Sequence, residues 1–207
     1  MKLLTLALIG VGLLSAGDAR VFYSKYFKGS RPEYVAITVE RSGETSYKEA
    51  VAEEPLRMRM TEAEAKEIFD LAEKLDRFQH PIESGLKVAH MGIKTFRWED
   101  GPEKHEVQFN YSEDTDAKAL ADWFEKISET EQVRIDLERA VRFDKLGVHE
   151  SVRQLEVTWD RKRLVAPQQF LPMLDRVAKN ESFIHMARER AARLAETFRK
   201  LDVEASK

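Results

Sequence analysis

The chain has 207 residues and no cysteine, and 34 lysines and arginines nearly balance 37 aspartates and glutamates, for a formal net charge of −3. Without cysteine, disulfides, thiolate catalysis and cysteine-based metal sites are excluded, so packing and secondary structure alone must stabilise the fold. Because nucleic-acid binding draws much of its affinity from neutralising phosphates, a chain without a basic excess is not expected to bind nucleic acid.

The first nineteen residues have the pattern of a secretory signal peptide. Lys2 supplies a positive charge, residues 3–14 are an apolar run, and small residues such as Ala16 and Ala19 stand where a signal peptidase cuts. The run is twelve residues long, whereas crossing a bilayer takes about 20. We therefore predict cleavage after Ala19, export to the periplasm or the extracellular space, and no stable membrane anchor afterwards. An uncleaved anchor and a buried N-terminal helix are the alternatives.

An aromatic segment follows the predicted cleavage site. Because exposed aromatic groups of this size are unusual on monomers, we expect residues 20–32 to pack on the sheet or the helices as an ordered N-terminal arm. A docking segment for a partner or a membrane surface is the alternative. The aromatic residues, which are interleaved with lysines, are Phe22, Tyr23, Tyr26 and Phe27.

The next part of the chain predicts three strands followed by a helix. Apolar residues alternate over 35–39 and Ser42-Gly43 offers a tight turn, which is the pattern of a hairpin. Thr61 and Glu64 form a capping box, so we expect a helix to begin after Thr61 and to run to about Arg77. The three predicted strands cover residues 35–39, 45–53 and 56–60.

The same order of elements then recurs. Two strands over 93–99 and 104–111 flank Asp100-Gly101-Pro102, and an amphipathic helix over 117–127 follows them. The turn glycines of the two units, Gly43 and Gly101, are 101 − 43 = 58 residues apart. We therefore predict an α+β fold in which two ββα units build an antiparallel sheet with helices on one face.

From Glu131 onward the apolar spacing is helical, so a C-terminal helical extension is expected. Gly147 suits the C-cap of its first helix, over 133–146, and residues 152–159 fit a helix or a strand equally. Two later helices are predicted over 167–180 and 183–201. The chain is thus divided into a signal peptide over 1–19, a sheet domain over 20–130 and a helical extension over 131–207 packed on or next to it.

Catalytic and metal-binding motifs are incomplete. His105-Glu106 and His149-Glu150 begin like the zinc-protease motif but lack the second histidine. Ser84 and Lys87 match the Ser-x-x-Lys of penicillin-recognising enzymes and Lys94-Thr95-Phe96 resembles their Lys-Thr-Gly, yet the two elements are only ten residues apart. We assign no catalytic, cofactor-binding or metal-ligating residue and expect no cofactor. The five histidines, without ligand spacing, are His80, His90, His105, His149 and His185.

Two weaker patterns carry no assignment by themselves. Glu53-Glu54 and Glu113-Asp114 are paired acids of the kind that glycosidases use, but such pairs are inevitable among 37 acids. Asn110-Tyr111-Ser112 and Asn180-Glu181-Ser182 fit the acceptor pattern for N-glycosylation, which matters if a eukaryote exports the chain.

These patterns favour a non-enzymatic binding or scaffold protein of the cell envelope or the extracellular space, with another protein or a peptide as its partner. The polar outer face of the sheet is the expected contact, through Arg57, Arg59, Lys94 and Arg97. The alternative is a cell-envelope hydrolase with a site assembled from scattered residues. A deep pocket with converging titratable groups would favour the hydrolase, and a shallow groove or a flat sheet would favour binding.

Signal cleavage predicts that the exported protein begins at Arg20. Intact-mass analysis of the exported protein should therefore give a species without residues 1–19. A species that still begins at Met1, or full-length chain recovered from the cytosol on fractionation, would contradict the prediction.

Overall fold

The computed structural model describes residues 19–205, and their side chains as far as Leu201. Apart from Ala19, the predicted signal peptide therefore lies outside the described residues. Six strands and five α-helices occur within them, which confirms the predicted α+β class. The strands are β1 (Arg20–Tyr26), β2 (Tyr34–Glu40), β3 (Glu44–Lys48), β4 (Leu56–Arg59), β5 (Ile93–Asp100) and β6 (Glu103–Phe109). The helices are α1 (Glu62–Lys74), α2 (Thr115–Phe143), α3 (Val148–Asp160), α4 (Leu171–Lys179) and α5 (His185–Ala205).

The sheet is antiparallel throughout and has the order β4-β3-β2-β1-β5-β6. The aromatic segment forms β1, between the two hairpins, so that Tyr23 pairs with Ile37 on one side and with Phe96 on the other. The segment is therefore ordered as predicted, but the prediction of an arm laid over the sheet was wrong. Successive residues of β1 point to opposite faces, and Val21 and Tyr23 are the ones that reach the core.

The two ββα units lie on either side of β1. The first contains β2, β3 and α1 with the extra strand β4, and the second contains β5, β6 and α2. The capping box of α1 is present, because Glu64 N donates to Thr61 Oγ1 at 3.2 Å and Thr61 N donates to Glu64 Oε2 at 2.8 Å. The helix ends at Lys74, before the predicted Arg77, because residues 76–78 take positive φ angles that a right-handed helix does not allow.

The first core fills the space between one face of the sheet and the helices α1 and α2. Tyr23 stacks on Phe124 of α2 with ring centroids 4.8 Å apart. Phe96 lies 4.9 Å from Phe109, and Trp98 meets Phe69 of α1 edge to face at 5.6 Å. Aromatic side chains from both units therefore share one interior and hold the helices against the sheet.

The second core depends on the length of α2. This helix runs without interruption from Thr115 to Phe143, whereas the sequence predicted two separate helices over 117–127 and 133–146. Its first half covers the sheet, and its second half packs on α3 and α4 in a core that α5 also lines. Residues 152–159 are helical, and Gly147 precedes α3 instead of capping the helix before it.

The two cores meet at the middle of α2. Thr130 and Glu131 are buried there, although both are polar. Thr130 Oγ1 accepts a hydrogen bond from Val165 N at 3.0 Å, and Ala166 N donates to Glu64 Oε1 of α1 at 3.1 Å. The 161–167 segment is thereby bonded to both helices, because its backbone amides find their acceptors on them.

The Tyr23 and Phe124 contact predicts a large difference between two phenylalanines of the same helix. We expect Phe124→Ala to lower the free energy of unfolding by about 3–5 kcal/mol, because it empties a fully buried site. Phe143→Ala, whose side chain is 81% exposed at the end of α2, is the matched control and should change it by less than about 0.5 kcal/mol. Urea unfolding followed by circular dichroism measures both, and equal effects would contradict this account of the core.

Candidate functional site

One side of the sheet carries no helix in the described part of the chain. The strand residues of the first core all point to the other side. We call the uncovered side the open face. Since paired residues lie side by side across antiparallel strands, its side chains form rows. The middle row, in order from β4 to β6, is Arg57, Ser46, Thr38, Phe22, Arg97 and Glu106.

Arg97 has a fixed position at the centre of the open face. Its guanidinium carbon lies 4.0 Å from the centroid of the Phe22 ring, so the two side chains are stacked. Its Nε is 2.9 Å from Glu99 Oε1 and its Nη1 is 3.3 Å from Glu106 Oε2. The stacking and the two carboxylates restrict the rotamers of Arg97 before any ligand binds.

A row of small side chains crosses the three central strands beside Phe22, and we call this row the furrow. Its floor consists of Ala36, Ser24 and Thr95, which pair with one another across β2, β1 and β5. On its far side stand larger side chains of the next row. Tyr26 and Ile93, paired across β1 and β5, are 49% and 46% exposed there. Large apolar side chains that remain exposed around a recess are a feature of binding surfaces.

The charges of the open face are distributed unevenly. Near β6, Glu99 lies 3.4 Å from Lys104 and also meets Arg97, so these charges are compensated. Near β4, Arg59 lies 3.4 Å from Glu44, but Arg57 forms no ion pair with any described side chain. The β4 end of the face therefore carries an uncompensated positive charge.

The structure brings three of the four predicted contact residues to this face. Arg57, Arg59 and Arg97 lie on it, but the prediction for Lys94 was wrong. Lys94 lies two residues before Phe96, so its side chain points to the same side of β5, the side that faces α2. There its Nζ donates to Asn110 O at 2.9 Å. Burial, followed by the neighbouring Lys25 ammonium, lowers the pKa of Lys94. The alternation of residues 94–98 was the signal that could have placed it.

The remnants of catalytic motifs do not come together. Ser84 lies in the connection between α1 and β5 outside any helix, where its Oγ accepts from Leu86 N at 3.2 Å. The residues that the structure describes contain no group of three or more His, Asp or Glu that could hold a metal ion. The histidines are dispersed, with His80 beside Asp76 at 3.1 Å, for example, and His185 beside Glu189 at 3.2 Å.

One predicted acid pair lines a groove. Glu53 and Glu54 lie in a groove of about 530 Å³ between the β3–β4 connection and α2, opposite Arg139 and Arg142. The other pair serves the fold, because Asp114 caps α2 by accepting from Asp116 N at 2.8 Å and from Ala117 N at 3.0 Å. Acids that face arginines across an exposed groove are the mixed charges of a solvated surface.

The first glycosylation acceptor anchors the 79–92 connection. Asn110 Nδ2 donates to Ala89 O at 3.1 Å, and its Oδ1 accepts from Met91 N at 2.7 Å. Glu83 accepts from Asn110 N at 2.6 Å. This hydrogen bond, helped by others from backbone amides such as Ser84 N, lowers the pKa of Glu83 below its usual range. The connection is thus held by one side-chain amide, by one carboxylate and by the backbone hydrogen bond from Ser84 N to Tyr111 O at 2.9 Å.

Comparison of the chain with protein-family models, with curated proteins and with solved structures finds no match. No described helix is both long enough and apolar enough to span a bilayer.

The lowered pKa of Glu83 predicts that acid loosens the 79–92 connection. A depressed carboxyl pKa contributes stability above the unfolded value of about 4.3, and this contribution is lost as the pH falls through the folded pKa. We expect Glu83→Gln to speed hydrogen exchange at residues 84–92 at neutral pH. After correction for intrinsic exchange rates, the wild type should approach the variant on acidification.

Glu113→Gln is the control for this prediction, because Glu113 makes no hydrogen bond to the connection in the described structure. Exchange that is unchanged in Glu83→Gln, or equally fast in both variants, would contradict the anchoring role.

Proposed function

We propose that the chain is an exported, non-enzymatic binding protein that holds an extended segment of another protein, or a peptide, in the furrow of its open face. The observation that carries the proposal is the row of small residues, Ser24, Ala36 and Thr95, bounded by the Phe22 and Arg97 pair and by Tyr26. A segment lying across the strands would place its side chains against these aromatic walls.

The order of the furrow before binding supports this role. Arg97 is already stacked on Phe22 and held by Glu99 and Glu106, so binding would cost little side-chain entropy at the centre of the contact. Arginine and aromatic residues are also the types that supply most binding energy at protein interfaces.

The charge of the β4 end suggests the chemistry of the partner. Arg57 and Arg59 lie there with Lys48, whose Nζ donates to Val51 O at 3.1 Å. Only Arg59 among them has an ion-pair partner among the described side chains. We therefore expect the bound segment to carry acidic side chains toward β4 and apolar ones beside Tyr26, since complementary charge fixes orientation and register.

Export is compatible with this fold. The predicted cleavage after Ala19 falls immediately before Arg20, the first residue of β1. The mature chain would thus keep all six strands, and the open face would form in the periplasm or the extracellular space.

Site-specific cross-linking in the exporting cell tests the proposal. A photoreactive phenylalanine analogue at Tyr26 or Ile93 should give one discrete cross-linked species, because both side chains border the furrow and are half exposed. The same analogue at Phe143, which is exposed at the end of α2, should not give that species.

A variant that fills the furrow separates binding from folding. We expect Ser24→Phe to remove the cross-linked species, whereas Ser24→Thr, which leaves the floor low, should keep it. The melting temperatures of both variants should lie within a few degrees of that of the wild type, so that a missing cross-link reports loss of binding and not loss of folding. A species that forms equally from Phe143, or that persists in a folded Ser24→Phe variant, would overturn the proposal.

A further inference from the structure

A cavity of about 330 Å³ lies between β4, α2 and α4, away from the furrow. This volume is at the lower end of the range for small-molecule sites, roughly 300–1,000 Å³. Val141 and Met173 form an apolar part of its wall, and the amide of Gln169 also lines it. Its charged lining residues are Arg57, Arg134, Glu138, Arg142 and Arg176.

The cavity concentrates positive charge in a chain whose net charge is −3. Arg142 is paired with Glu138, which leaves the other arginines of the lining in excess. Neither Arg57 nor Arg176 forms an ion pair with a described side chain. Both side chains are exposed and line the same cavity, so an anion bound there would be attracted by two guanidinium groups without a carboxylate partner among the described residues.

A buried carboxylate fixes the third arginine. Glu131 is fully buried in the middle of α2 and binds Arg134 through both side-chain oxygens, with Oε2 2.5 Å from Nη2 and 3.0 Å from Nε. The Nη1 group of Arg134 makes no hydrogen bond to another described residue, and Arg134 lines the cavity while its Nε and Nη2 are bound to Glu131.

We propose that this cavity binds a small molecule bearing a phosphate group. Arg134 supplies a fixed donor, and Arg57 and Arg176 supply donors from separate elements. A phosphate monoester carries close to two negative charges at neutral pH and three acceptor oxygens, so it matches several guanidinium groups better than a carboxylate does. Val141 and Met173 leave room for an apolar part of the ligand.

This site goes beyond the proposed function. It shares Arg57 with the positively charged β4 end of the open face, but it shares no residue with the furrow floor or with the Phe22 and Arg97 pair. Arg57 belongs to β4 at the sheet edge, and it is the residue through which the sequence-predicted contact surface and the cavity adjoin.

Calorimetric titration of the exported protein with phenyl phosphate tests the site, with inorganic phosphate as the smaller probe and sodium chloride holding the ionic strength constant. We expect one ligand per chain. The double variant Arg57→Gln with Arg176→Gln should raise the Kd by at least about tenfold, since charge-assisted hydrogen bonds to phosphate are lost. Both side chains are exposed, so the variant should fold.

Arg139→Gln is the matched control, because it removes one positive charge from the same helix, between Arg134 and Arg142, without touching the cavity lining. Its Kd should stay within about twofold of the wild type, as for additive changes at independent sites. The proposal would be overturned if the double variant still bound phenyl phosphate, or if Arg139→Gln weakened binding equally. It would also be overturned if chloride alone gave the same heat of binding.

The phosphate could belong to a soluble ester or to a lipid headgroup, and vesicles distinguish these sources. If the protein floats with phosphatidic acid vesicles, if phenyl phosphate displaces it from them, and if the double variant no longer floats, the site binds a lipid headgroup. Binding of phenyl phosphate without flotation would assign it to a soluble ester. Flotation that the double variant leaves unchanged would count against the cavity as the phosphate site.

Discussion

The whole arrangement depends on the hydrogen bonding of β1 to strands on both sides. Its residues pair with β2 and with β5, so the first strand of the fold joins two hairpins that do not otherwise adjoin. Tyr23 extends this link through the core, because it stacks on Phe124 of the second unit. The open face depends on the same strand, since Phe22 and Ser24 of β1 supply its aromatic wall and the middle of its floor.

α2 imposes a second constraint, which is rigidity. Its 29 residues correspond to about 43 Å of continuous helix, with the sheet on its first half and the other helices on its second. The buried Glu131 and Arg134 pair lies where the halves meet. A buried ion pair adds little net stability but is costly to break. Both residues belong to α2, so the pair holds the Arg134 side chain against its own helix, where Arg134 lines the candidate phosphate cavity.

The sequence predicted those elements in which buried apolar residues alternate regularly with polar residues that face water. Both hairpins, the capping box at Thr61 and Glu64, and most helices have a polar side that reveals their period. β1 was placed wrongly because a strand with Tyr23 on one face and Phe22 on the other does not alternate between apolar and polar residues. α2 was divided because Thr130 and Glu131 interrupt the apolar stripe, and only contacts with distant residues bury them.

The candidate sites were predictable to different degrees. Arg57, Arg59 and Arg97 followed from strand alternation alone, whereas Lys94 lies two residues before Phe96 and therefore on the core side of β5. The furrow depends on the register between three strands, which local patterns leave open. The arginines of the cavity lie on β4, α2 and α4, so nothing short of the assembled fold brings them together.

The edges of the sheet have a consequence for how copies of this chain meet. β4 is only four residues long, and the exposed residues of β6 include Lys104 and Glu106. Short and charged outer strands discourage the sideways stacking that turns sheet proteins into fibrils. If the chain is exported as proposed, these borders would protect a protein without disulfides while it folds after translocation, and they would leave the broad surface, and not the rim, for the proposed partner.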